Sequence, residues 1–123
     1  MQIEREAALD AMKITFRRLM LLKANSGVRW LGTTSDLVEL VHIMWYRGET
    51  INIEGQMLNF STSVNFLCGL LGVKPPRKPN IVIHNVKKRK DPNHSLVSRC
   101  IKLMEQGELP LGRFITPLPG YNS

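Results

Sequence analysis

Lys74, Arg77, Lys78, Lys87, Lys88, Arg89 and Lys90 fall between Glu54 and Asp91, in a stretch with no acidic residue. Seven of the chain's seventeen basic residues therefore lie where no carboxylate nearby in the sequence offsets them. The chemistry such a stretch can do is electrostatic. A field of one sign attracts a polyanion, and nucleic acid is the commonest polyanion a small protein meets. A solvated lysine-rich face is the plainer alternative. The formal net charge of +7 agrees with an anionic partner without demanding one.

Other chemistries find little support. His42, His84 and His94 are far apart, and none belongs to a metal-ligand pattern. His42 sits in an apolar helical run, where a satisfied core histidine is the natural reading. There is no phosphate-cradling glycine loop and no pair of carboxylates flanking a pocket segment. Cys68 and Cys100 each sit in an apolar helical pattern and read as buried thiols, neither a disulfide framework nor an activated nucleophile. The expectation is a protein that is not an enzyme, with no catalytic residue, no metal and no cofactor.

Several elements must position the basic stretch. Leu9, Met12, Phe16, Leu19 and Leu22 recur at spacings of three and four, which predicts an amphipathic helix over about residues 4–24. Glu4, Glu6 and Asp10 stand near its start and Arg17, Arg18 and Lys23 near its end, the order a helix dipole favours. Asn25, Ser26 and Gly27 are expected to stop it. Its apolar stripe belongs in its own core or against a second copy of the chain. Thr33, with Asp36 three residues on, resembles a capping box that opens a largely buried helix through Leu37, Leu40, Val41, Met44 and Trp45. Gly48 is expected to cap its end.

Residues 50–54 alternate polar and apolar around Ile51 and Ile53, as a short strand or an extended connection would. Ser61 is the expected N-cap of a helix through Val64, Leu67, Cys68 and Leu71, closed by Gly72 with Val73 as the apolar residue of a Schellman-type cap. Prolines 75, 76 and 79 then bring a turn. Residues 79–88 fit a helix with Pro79, Val82, Ile83 and Val86 on one side. Arg77, Asn80, His84, Lys87 and Lys88 gather on the other, and Ile81 is the misfit. The β-branched run Ile81-Val82-Ile83 keeps a strand in play. Asp91-Pro92 is the expected start of a last helix through Leu96, Val97, Cys100, Ile101 and Met104 to Gly107. The segment 108–123, with three prolines, reads as an extended tail that packs on the chain or docks on a partner.

Placed together, the segments 61–71 and 77–88 have the lengths of a helix-turn-helix, although the turn between them is long and rich in proline. In that arrangement the second helix would enter the major groove while the first crosses the backbone. Arg77, Asn80 and His84 would face base edges. Thr62, Ser63 and Asn65 would bond phosphates from the start of the first helix. Lys74, Lys78, Lys87, Lys88, Arg89 and Lys90 would lie on the sugar–phosphate backbone.

Arg29-Trp30-Leu31-Gly32-Thr33 and Asp36-Leu37-Val38-Glu39-Leu40-Val41 resemble the segment that opens the C-terminal domain of the RteC family, regulators of the excision of bacterial conjugative transposons. The resemblance continues through Tyr46-Arg47-Gly48, Ile51-Asn52, Asn85-Val86-Lys87-Lys88-Arg89-Lys90 and the run from Leu96 to Met104, covering about residues 28–106. It implies a winged-helix-like domain that binds DNA and regulates a mobile element's genes. Trp30, Leu37, Leu40 and Val41 would be scaffold, and residues 87–90 would match the family's basic stretch. The chain departs from that pattern in having only one long helix before the domain and a proline-rich insert at 75–79.

The resulting expectation is a mainly α fold, a compact helical domain with a helix-turn-helix or winged-helix-like arrangement and room for one short β segment, preceded by a long N-terminal helix. Its divisions would be residues 1–27, 28–107 and 108–123. The expected partner is double-stranded DNA, with a homodimer through the N-terminal helix as an added option. No apolar run reaches the ~18 residues of a membrane span, and the first eight residues do not form a signal peptide, so the expected location is the cytoplasm. The expected function is that of a transcriptional regulator or recombination accessory factor. The competing class is a protein-interaction module whose basic stretch docks an acidic partner. RNA binding ranks below both, because most of the aromatic residues read as buried.

Overall fold

The computed structural model describes residues 2–89 and 91–118. Its helices are α1 (Arg5–Met20), α2 (Thr34–Tyr46), α3 (Phe60–Leu70), α4 (Pro79–Lys87) and α5 (Leu96–Glu105), with a 3-10 turn at Pro92–His94. Among the described residues there is no sheet, only isolated antiparallel bridges joining Trp30 to Ile115 and Ile51 to Met57.

The helix α2 is the hub. Leu37, Val38, Leu40, Val41 and Met44 are fully buried, and the helix packs against α3, α4 and α5. A helix apolar on most sides has to be surrounded in this way. Its start is fixed by Thr33, whose Oγ1 accepts the Asp36 N–H at 3.0 Å. The apolar stripe of α1, Leu9, Met12, Phe16 and Leu19, is buried in the same core, and α1 packs on α5. That stripe is taken up by the chain's own core and is not the surface on which a second copy would sit. The segment 109–118 is also core. Leu111, Phe114, Ile115 and Leu118 are buried, and the Phe114 ring stacks on Trp30 with centroids 5.7 Å apart.

Several boundaries differ from those the sequence suggested, each for a local reason. The helix α1 ends at Met20, because the N–H groups of Leu21 and Leu22 bond carbonyls three residues back and tighten the last turn. The cap of α3 is Asn59, which accepts the Thr62 N–H at 2.8 Å, and Ser61 lies inside the first turn. The Asp91-Pro92 pair starts only the 3-10 turn, in which Asp91 Oδ1 accepts the Asn93 N–H at 2.9 Å. The helix α5 starts afterwards, capped by Ser95, whose Oγ accepts the Ser98 N–H at 3.1 Å. Residues 50–58 form a tight turn closed by the Ile51–Met57 bridge. Asn52 Oδ1 ties it by accepting the N–H groups of Glu54 and Gln56 at 3.0 and 2.9 Å.

The C-terminal end of α3 matches its expected form. Gly72 takes φ +75°, a value that L side chains resist, and Val73 N–H then reaches back to Cys68 O at 2.8 Å.

Candidate nucleic-acid interface

Residues 79–87 are helical, and the amphipathic pattern prevails over the β-branched run. Pro79 and Ile83 are buried and Val82 and Val86 half-buried, against α2 and α3. Pro79 occupies the first helical position, where no N–H is needed. The opposite face carries Asn80, His84, Asn85 and Lys87, all exposed, with Ile81 among them at 51% exposure. The N-cap, Lys78, makes no side-chain cap bond, and its carbonyl accepts the Ile81 and Val82 N–H groups at 3.0 and 3.4 Å.

Five carboxylates are paired with arginines outside the basic stretch. Arg17 pairs with Glu49 at 2.9 Å, Arg47 with both Glu6 and Asp10 at 3.3 Å, and Arg113 with Glu108 at 2.8 Å. Arg99 makes a two-point pair with Asp36. By contrast, Lys74, Arg77, Lys78, Lys87 and Lys88 are exposed, and none of them pairs with a carboxylate among the described residues. Of the basic stretch only Arg89 pairs with a carboxylate, Glu39, among the described residues.

One expected contact needs correction and a second is weakened. Ser63 is fully buried, and its hydroxyl donates to Asn59 O at 2.7 Å, so it cannot reach a phosphate. Its neighbours Thr62 and Asn65 are exposed, as that role requires. Arg89 is partly spent inside the protein. Its Nη1 lies 3.5 Å from Glu39 Oε1 and donates to His94 O at 3.3 Å. Lys90 lies outside the described residues.

His42 stands between the two helices of the candidate motif. Its ring meets Phe60, at the start of α3, edge-on with centroids 5.2 Å apart. Burial, and then the charge of Lys87 at the end of α4, hold its pKa below the ordinary histidine value. The imidazole is half-buried and held by ring contacts with Phe60 and Trp45, so it packs at the edge of the core and is not the hydrogen-bonded core histidine the sequence suggested. A cleft of about 140 Å³ beside it is lined by Arg5, Glu39, Ile43 and Lys87 among others. Among the described residues no group of three or more His, Cys, Asp and Glu side chains could hold a metal ion.

Two features escaped the sequence reading. Tyr46 is 82% exposed at the end of α2. Arg29 lies across Gly72, at the end of α3, so that a Cβ on that glycine would overlap the guanidinium. No local signal announces that contact, because it joins residues distant in the chain. Compared with family models, curated proteins and solved structures, the chain matches none.

Proposed function

We propose that the protein is a small DNA-binding protein that holds the phosphate backbone with the basic residues around α4. The observation that carries this reading is the set of five exposed cations, Lys74, Arg77, Lys78, Lys87 and Lys88, left without carboxylates while most acids elsewhere are matched to arginines. Like charges grouped in this way repel one another, and a polyanion relieves that repulsion. The nine residues of α4 span about 13 Å, roughly the axial rise of four base pairs. Cations at both ends of the helix would therefore meet different phosphates.

In this reading α3 and α4 act as a helix-turn-helix with an extended turn at 71–78. Asn80 and His84 would face base edges, and Thr62 and Asn65 would approach the backbone. The narrower role, a transcriptional regulator or recombination accessory factor of a mobile genetic element, rests on the resemblance of residues 29–41 and 85–90 to the RteC family.

Titration of random-sequence duplex DNA across a salt series tests the reading. Four phosphate contacts give a slope of log affinity against log salt of about −4. Replacing Lys74, Lys78, Lys87 and Lys88 together by alanine should weaken binding to all sequences alike. If the quadruple variant binds as the wild type does, this surface is not the one used. If neither binds at low salt, the reading falls, and docking on an acidic protein becomes the better account. Ile14 on α1 and Leu21 just past its end favour that second reading, since they are exposed at 62% and 54%.

A further inference from the structure

Arg29 is positioned by its backbone before its side chain does anything. Its N–H donates to Thr116 Oγ1 at 2.9 Å, and its carbonyl accepts the Thr116 N–H at 3.0 Å. One residue on, Trp30 N–H donates to Leu71 O at 3.1 Å. The segment 28–31 is thereby laced between the end of α3 and the segment 109–118. From that fixed origin the side chain crosses Gly72, with Cδ and Cζ each 3.1 Å from the point where a Cβ would stand. Gly72 serves two ends at once, the positive φ of the cap and the room for the arginine.

Arg29 is exposed, and no carboxylate among the described residues pairs with it. Ordering so long a side chain costs rotamer entropy. The negative end of the α3 dipole offsets part of that cost. Lys74, two residues past Gly72, adds a like charge that does the opposite. Beside the arginine runs a groove of about 570 Å³ between residues 22–29 and the outer face of α3, where Phe66 and Gly69 form the wall.

We propose that Arg29, laid across Gly72, is a further phosphodiester-binding point that carries a nucleic-acid backbone from α4 over the end of α3 toward the groove beside Phe66. This inference rests on the DNA-binding reading of the α4 face. Arginine suits the task because its planar fork binds two phosphate oxygens at once, and here that fork is already placed.

Fluorescence anisotropy with a labelled random-sequence duplex tests it, read between about 50 and 200 mM salt. Wild type is compared with Arg29→Ala, Arg29→Gln and Lys88→Ala, and the melting temperature of each is recorded. Arg29→Gln keeps a stem over Gly72 and serves if the alanine variant folds poorly. The expected result is a folded variant whose salt slope is smaller by about 0.9, a loss of one phosphate contact. A lower melting temperature with an unchanged slope would mean that Arg29 only caps α3, and would overturn the proposal. An unchanged slope in both Arg29 variants, with a reduced one in Lys88→Ala, would overturn it while sparing the DNA-binding reading. A wild type that binds no duplex overturns both.

Discussion

Arg89, just past the end of α4, pairs with Glu39 in the middle of α2, with Nη1 and Oε1 3.5 Å apart. The other oxygen of Glu39 accepts the buried N–H of Leu96 at 3.0 Å, at the first position of α5. One buried carboxylate thus fixes both ends of the lysine-rich connection between α4 and α5, and it sits where the α5 dipole favours an anion.

Glu39→Ala should therefore destabilise the protein by roughly 1.5–3 kcal/mol, since it strands a buried N–H and removes an anion that bonds it. Glu39→Gln, which keeps an acceptor for Leu96, should cost less. Urea denaturation of the three proteins reads the difference. If alanine and glutamine cost the same, the Leu96 bond is not what Glu39 contributes.

The pair Asp36–Arg99 should make stability depend on pH in the acid range. Burial pushes the Asp36 carboxyl up, but the hydrogen bond and charge of Arg99, with the hydroxyl and backbone of Thr33, outweigh it and hold the pKa below the ordinary 3.8. The folded value is the lower one, so the contribution is complete above the unfolded value and is lost as pH falls through the folded value. Denaturation midpoints below about pH 4 should fall more steeply in the wild type than in Asp36→Asn. Parallel curves would show that Asp36 is not a source of the acid sensitivity.

The features legible in the sequence were those set by local rules. The periodicity of α1 and α2, the cap at Thr33 and the glycine close at Gly72 all follow from neighbours within one or two turns. The apolar side of α4 was readable for the same reason, and the exposed Ile81 is the residue that did not fit its pattern. Where two local signals competed, the sequence alone did not choose well. Asn59 and Ser61 both suit an N-cap, as do Asp91 and Ser95, and the caps that form are Asn59 and Ser95. The candidate site was legible as a list of charges, not as a surface. The burial of Ser63, the diversion of Arg89 to Glu39 and the crossing of Arg29 over Gly72 all depend on contacts between distant segments.

The segment 108–123 illustrates the same limit and yields a prediction. Its composition left open whether it packs on the chain or docks on a partner, and only contacts between distant residues decide: Phe114 stacks on Trp30, and Leu111, Ile115 and Leu118 are buried. Phe114→Ala should cost about 3–5 kcal/mol, the usual loss for a core phenylalanine. Leaving Trp30 more exposed, it should also shift the tryptophan emission to the red. A loss under about 1 kcal/mol would show that the segment is peripheral to the core.

Both cysteines should be inert until the protein unfolds. Burial pushes the Cys68 thiol up to about 11. Cys100 is pushed up to about 12, mainly by burial, with Arg99 pulling against it and Asp36 and Glu39 adding to it. The thiolate is the reactive form, so neither should be alkylated at neutral pH in the folded state. Both should react in denaturant, and labelling followed by mass measurement should track global unfolding. Fast labelling of either residue in native buffer would contradict the burial of these helices.

The final prediction separates holding DNA from reading it. Lys87 and Lys88 lie at the end of α4, whereas Asn80 and His84 lie one turn apart on its exposed face. A lysine that meets a phosphate contributes equally on every sequence, so Lys87→Ala and Lys88→Ala should each reduce the salt slope by about 0.9 and leave any sequence preference intact. An asparagine that bonds a base edge contributes on one base only. Asn80→Ala should therefore leave the salt slope unchanged and relax the preference at a single position, by roughly 1–3 kcal/mol. Selection of a bound sequence from a random duplex pool, repeated with each variant, measures both effects. If Asn80→Ala instead lowers the slope, α4 lies along the backbone and not in the groove. In that case the sequence preference, if any, resides in the deformability of the DNA.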